Sequence, residues 1–201
     1  MSLVYFVRHV LSDNPKRLVG YDSPVADQGK LQLVELSNFF EDKNVQKIFH
    51  SPLIRARETA VKIAGKHTEL LEPDDRLRER KWSKDDATWQ EFWEILDRMT
   101  LMERYKYKPP RGESWQEFEQ RTAGFWNDKM KGIAGNVAIV SHEGTMRCIL
   151  AYLLRKQLGG LEKSLEWSIQ QQFAFGSIST LDTSTMEFKK QIFTPKQIST
   201  V

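Results

Sequence analysis

Cysteine is nearly absent from this chain. The single Cys148 among 201 residues has no partner for an internal disulfide and no companions for a thiolate metal site. Its expected place is the buried side of a helix. Charge of one sign is scarce too. Lys and Arg number 30 against 27 Asp and Glu, a formal +3, which is too little to argue for a nucleic-acid ligand. No apolar run approaches the length of a membrane span. The N-terminus lacks a basic stretch followed by a long apolar one, so no leader is expected. No Gly-x-Gly-x-x-Gly follows the first apolar run, which disfavours a dinucleotide-binding domain. Repeats, low-complexity tracts and linkers are also missing, so residues 1–201 read as one domain, expected in the cytoplasm.

Two apolar runs dominate what remains. Leu3-Val4-Tyr5-Phe6-Val7 reads as a buried parallel strand, and it ends on Arg8-His9. Val137-Ala138-Ile139-Val140 reads the same way and ends on Ser141-His142-Glu143-Gly144-Thr145. Ligands of open α/β sheets bind beyond the carboxyl ends of the strands. Two buried strands that each run out on a histidine therefore draw attention to that edge.

Between them the pattern alternates. After a polar loop from Ser12 to Pro24, Asp27 is expected to cap a helix reaching about Asp42, with Leu33, Leu36 and Phe40 on its apolar face. Val45 to Phe49 is the second expected strand. Ser51 and Pro52 are expected as cap and first residue of a helix that ends at Gly65. Glu69 to Leu71 suggests a short third strand. The stretch at about 84–112 is charged and aromatic, and it reads as a helical insertion, with one helix from about Thr88 to Glu103. Ser114 and Glu117 match a capping box for the next helix. A short helix over Leu161 to Ile169 and two terminal strands, Ser177 to Asp182 and Met186 to Phe193, complete the chain. Strands alternating with helices predict a three-layer α/β/α sandwich with a mostly parallel central sheet.

The candidate site lies where the strands end. Arg8, His9 and His142 meet if their strands are neighbours, and Arg55 begins the helix after the second strand. Two arginines and two histidines make an anion site, because the guanidinium fork matches the geometry of phosphate. The helix after His142 adds free N–H groups, and Gly144 allows close approach of the backbone. Neutral histidine is also a nucleophile toward phosphorus. Protonation of a leaving alkoxide needs an acid, and Glu79 in Leu77-Arg78-Glu79-Arg80 is the best placed. Arg78 and Arg80 would lower its pKa, whereas burial would raise it. His50 and His67 read as structural, and Lys16, Arg17, Arg80, Lys81 and Lys84 as surface charge near the mouth.

These residues resemble the histidine phosphatase superfamily in its phosphoglycerate-mutase-like branch. Arg8-His9, the run Ser51 to Ala60, Leu77-Arg78-Glu79, Gly112-Glu113-Ser114 and Ser141-His142-Glu143-Gly144 match its motifs in order. The resemblance implies a phosphatase acting on a small phosphomonoester through a phosphohistidine. His9 would take the phosphoryl group. Arg8, Arg55 and His142 would hold its oxygens, with Glu79 as proton donor. Ser12, Glu143 and Gly144 complete the expected phosphate-binding set. No cofactor or metal is implied. The expected partner is a small phosphorylated metabolite, not nucleic acid or a membrane, and a homodimer stays open. The alternatives are mutase-type phosphoryl transfer and a catalytically weak phosphate-binding or scaffolding relative. The last rests on Val10, which stands where the family usually has glycine; a demand for positive φ there would strain valine, and a phosphate lying against bare backbone there would be crowded by it. Leu11 and Ser83 also depart from the pattern.

Overall fold

Alternate residues of the first strand enter two different cores. The structure is a computed structural model that describes residues 2–13, 22–82 and 89–196. Strand β1 (Leu3–Arg8) sends Val4 and Phe6 to one face and Tyr5 and Val7 to the other, as the two-residue period of a strand requires. The first core adds Phe49, Val137, Ile139 and Leu181. It is closed by α5 (Trp115–Lys129) and α6 (Glu143–Leu158), which contribute Phe125, Met146, Ile149 and Leu150. The second adds Ile48, Ala138, Val140 and Ile178, under α1 (Asp27–Phe40) and α2 (Ile54–Ala64) through Leu36, Phe40, Ala60 and Ile63. Helices thus cover both faces of the sheet, as expected for the three-layer sandwich.

The sheet has six strands. The others are β2 (Val45–His50), β3 (Leu71–Pro73), β4 (Asn136–Ser141), β5 (Ile178–Asp182) and β6 (Phe188–Phe193), in the order β3-β2-β4-β1-β5-β6. The first four run parallel; β5 and β6 are antiparallel additions at one edge. The pairing that matters most is β1 with β4, in which Arg8 stands opposite Ser141. That register puts the next residues, His9 and His142, side by side. Three further helices are α3 (Trp89–Asp97), α4 (Leu101–Lys106) and α7 (Leu161–Gln170). No helix among the described residues is long and apolar enough to cross a membrane.

Several boundaries differ from expectation for identifiable reasons. Helix α1 starts at Asp27 with Ala26 in the cap position, so Asp27 lies inside the first turn, where its charge favours the helix dipole. It stops at Phe40 rather than Asp42. Helix α2 begins at Ile54 with Leu53 in the cap position, and the Ser51 hydroxyl accepts from Leu53 N–H at 3.3 Å, ahead of the helix, rather than from a helical N–H. Strand β3 lies two residues later than expected, where Leu71 pairs with Ile48. The insertion forms two helices rather than one. A capping box between Thr100 and Glu103 starts α4 afresh. The capping box of Ser114 and Glu117 is present as expected. Lys16, Arg17, Ser83 and Lys84 lie outside the described residues.

Candidate active site

His9 is 5% exposed and His142 1%. The backbone that carries His9 is held on several sides. Its N–H donates to Ser141 O at 2.9 Å, its carbonyl accepts from Gly176 at 3.1 Å, and Arg8 N–H donates to Ser177 O at 3.1 Å. The next two residues are held as well, with Val10 N–H on Thr59 Oγ1 at 3.3 Å and Leu11 N–H on Gln32 Oε1 at 2.9 Å.

The partners of the two rings assign their tautomers. His9 Nδ1 lies 2.7 Å from the carbonyl of Val10, which can only accept, so Nδ1 carries the proton. Its Nε2 keeps a lone pair, on which Arg55 Nε–H rests at 3.1 Å. Arg55 Nη2 reaches Nδ1 of His142 at 3.1 Å. A guanidinium only donates, so the proton of His142 is on Nε2, 2.9 Å from Ser51 Oγ. One guanidinium thus bridges two imidazoles whose centroids are 5.0 Å apart. The sequence alone predicts Ser51 as a helix cap. Its place just beyond β2, at the same sheet edge, was the signal for its contact with His142.

Arg8 packs its guanidinium against the ring of Phe175, 3.8 Å from the centroid. It pairs with Glu143 at 3.1 Å and donates to the carbonyl of Phe173. Its Nε is buried and has no partner among the described residues, which leaves a donor for a ligand oxygen. Phe175 also lies 5.6 Å from the His9 ring. Neither its composition nor its spacing marked this residue in the sequence.

Glu79 joins the group from the segment after β3. Its Oε1 accepts from Arg80 N–H at 2.8 Å, and its Oε2 from Gly144 N–H at 3.1 Å. The first turn of α6 therefore holds the carboxyl group of Glu79. A Cβ on Gly144 would lie 2.3 Å from Glu79 Oε1, so only glycine leaves room for this contact. Glu143 carries a supporting load as well. Besides Arg8 it engages Arg147 at 2.6 Å and accepts from Phe173 N–H at 3.2 Å. Gly144 and Glu143, expected against phosphate, are thus bonded to other site side chains. Ser12 is buried and tied by a backbone bridge to Val25.

Burial controls the protonation states. It holds the pKa of both imidazoles well below the usual 6.5, and the nearby arginines push the same way. His142 is lowered further by His9. Glu79 moves upward from 4.5 because burial outweighs its two backbone hydrogen bonds and the charges of Arg55 and Arg8. Of the sequence neighbours expected to lower it, Arg78 faces elsewhere, whereas Arg80, predicted as surface charge, is buried and stays within range of the Glu79 charge. Arg78 pairs with Asp75 at 2.7 Å, and Arg80 lies 4.1 Å above the Trp82 ring.

Val10 is fully buried in the second core. The described non-glycine residues with positive φ are Asn44, Arg111, Met186 and Gln191, so Val10 keeps an ordinary backbone. The backbone at residue 10 places no demand that valine fails to meet. Val10→Gly is therefore expected to destabilise the protein by about 3 kcal/mol, through lost packing and added chain entropy, without raising activity. Denaturant midpoints and steady-state rates measured on the two proteins check this.

A mostly parallel sheet between two helical layers, with two buried imidazoles bridged by an arginine at its carboxyl edge, defines the class: an α/β protein that gathers two arginines and two histidines at one sheet edge. The chain belongs to the histidine phosphatase superfamily (branch 1), whose family model matches residues 4–188. It is 32% identical over 162 residues to a Hydrogenobacter thermophilus protein named "Putative phosphoserine phosphatase 2", with 76% of this chain and 79% of that one aligned. It is 29% identical over 165 residues to a Caenorhabditis elegans 6-phosphofructo-2-kinase/fructose-2,6-bisphosphatase. There the alignment covers 79% of this chain but only 35% of the relative's length. A mycobacterial glucosyl-3-phosphoglycerate phosphatase shares the fold, with a TM-score of 0.75 over 93% of this chain and 96% of that one at 21% identity.

Proposed function

We propose that this histidine phosphatase hydrolyses a small phosphomonoester through a phosphohistidine on His9. The observation that carries the reading is the pair of imidazoles bridged by Arg55, with the lone pair of His9 Nε2 turned toward the bridge. The substrate phosphate enters between the rings. Arg55 transfers its donors from the ring nitrogens to phosphate oxygens, and Arg8 adds its spare Nε–H. Together they neutralise the charge on the transferring group. His142 Nδ1 becomes a donor only when it is protonated, and the arriving dianion offsets the burial that keeps this ring neutral.

His9 Nε2 then forms a bond to phosphorus while the ester P–O bond breaks. The electron pair remains on the leaving alkoxide, which takes the proton of the Glu79 carboxyl. In the second half a water attacks phosphorus and gives its proton to Glu79. The N–P bond breaks, the pair returns to Nε2, and inorganic phosphate departs. The relatives' names are those of phosphatases, which supports hydrolysis over transfer to a second hydroxyl. Small phosphorylated metabolites are the proposed partners. The cytoplasm is the proposed compartment, in keeping with a lone buried thiol.

The test is release of inorganic phosphate from a panel of metabolite phosphates, followed by a pH profile on the best one. His9 must be neutral, and its pKa is lowered, so kcat/KM should fall only as pH drops well below 6.5. Glu79 must be protonated, and its pKa is raised above 4.5, so kcat/KM should fall again as pH climbs through that raised value. The result is a bell whose acid limb lies well below 6.5 and whose alkaline limb is set by the raised pKa of Glu79. A profile that climbs steadily to alkaline pH would contradict the proposal.

A further inference from the structure

Glu79 is an acid of short reach on an irregular segment, and that segment is held by two charged residues without an assigned role. Arg121, on α5, sends Nη1 to the carbonyls of Arg76 at 2.7 Å and Arg78 at 3.1 Å. Its Nε and Nη2 grip the two oxygens of Glu113 at 3.1 and 2.5 Å. Glu113 in turn accepts from Lys81 N–H at 3.0 Å, while its own N–H donates to Lys81 O at 2.9 Å. The contacts fall on residues 76, 78 and 81, on both sides of Glu79. Gly112 completes the clamp. A Cβ there would lie 2.5 Å from Trp82 O and 2.7 Å from Lys81 O, so the two strands of chain at the root of the insertion can touch only at a glycine. Further anchors come from α5, with Arg76 on Asp128 at 2.5 Å, from the Glu113 carbonyl, which accepts from Arg80 Nε at 3.1 Å, and from the site's own side, with Ser141 Oγ on Leu77 O at 2.6 Å and Thr145 Oγ1 on Arg78 O at 3.1 Å.

We propose that Arg121 and Glu113 are positioning residues for the proton donor, with their ion pair clamping the 76–81 segment so that the Glu79 carboxyl meets the leaving oxygen. This rests on the reading of Glu79 as the acid. A guanidinium fork that donates to two carbonyls, paired with a carboxylate that accepts a backbone N–H, fixes position as well as charge, and an error of about 1 Å at a reacting group can cost about 10²-fold in rate. The pair makes no hydrogen bond to His9, Arg55 or His142 in the described contacts, and a lysine at residue 121 keeps the charge by which Arg121 helps lower the pKa of His142, so Arg121→Lys should act on proton donation and leave nucleophilic attack intact.

That separation gives the test. An alkyl phosphate needs a proton on its leaving oxygen, and 2,4-dinitrophenyl phosphate does not. The value of kcat/KM reports the steps up to phosphoryl transfer, so slow hydrolysis of the intermediate does not mask the difference. Arg121→Lys should lower kcat/KM about tenfold or more on the alkyl phosphate and less than about threefold on the dinitrophenyl ester. Glu113→Gln, read the same way, stands in if Arg121→Lys does not fold. Equal losses on the two substrates, or no loss on either, would overturn the proposal. Glu79→Gln is measured beside them. If it shows the selective loss and the clamp variants do not, the clamp is wrong and the acid stands. If it loses both activities equally, the acid assignment fails and takes the clamp with it.

Discussion

His9→Ala is expected to remove phosphatase activity by at least about 10⁴-fold, because no other described group at the site offers an unprotonated nitrogen in the same place. The expectation distinguishes two imidazoles that look alike in the sequence. His9 donates from Nδ1 to the carbonyl of Val10 and turns its Nε2 lone pair toward the bridging guanidinium. His142 has the reverse arrangement, with Nε2–H on Ser51 and Nδ1 facing Arg55. His142→Ala should slow the enzyme, since one oxygen ligand is lost, but should still let the phosphoryl group reach His9. The measurement is an alkaline quench after brief exposure to substrate, which preserves a phosphoramidate, followed by mass analysis of the peptide holding residue 9. Native protein and His142→Ala should carry the added phosphoryl group there, and His9→Ala should carry none. Turnover within tenfold of native in His9→Ala would rule out the covalent route.

The elements that bring these groups together were legible in the sequence to different degrees. The run Val137–Val140 predicts a buried strand, and β4 spans Asn136–Ser141; four β-branched or small apolar residues are too short a run for a buried helix. The pairing of β1 with β4 was less accessible. The runs said that both strands were buried, not that they were neighbours, and the proximity of His9 to His142 depends on the neighbour relation. Local side-chain chemistry was readable when nothing competed for it, as at Ser114. It misled at Ser51, whose hydroxyl faces an imidazole 91 residues away in the chain. The Thr100-x-x-Glu103 signal was present but lay inside a stretch that also fits one continuous helix. Phe175 and the Arg121–Glu113 clamp belong to loops and long-range polar contacts, which leave no periodic trace. For Glu79 the sequence set the adjacent arginines against burial without deciding between them; Arg78 turns to Asp75, Arg80 stays within range, and burial decides the outcome.

The guanidinium that bridges the rings carries the second large expectation. Arg55→Ala should lower kcat/KM by about 10³-fold, the scale seen when an arginine is removed from a transferring phosphoryl group. Lysine should not restore it. An ammonium is a single point of charge, whereas Arg55 reaches His9 and His142 with two different nitrogens at 3.1 Å each. Arg55→Lys should therefore recover less than about tenfold of the loss. A second readout separates loss of a phosphate ligand from simple damage. Arg55 is one of the charges that lower the pKa of His9, so its removal should let that pKa rise toward 6.5 and move the acid limb of the pH profile to higher pH. Loss of rate with the acid limb unmoved would mean that Arg55 holds substrate without governing the nucleophile. Full activity in Arg55→Lys would mean that charge alone suffices, and that the double contact with the two imidazoles has no part in the reaction.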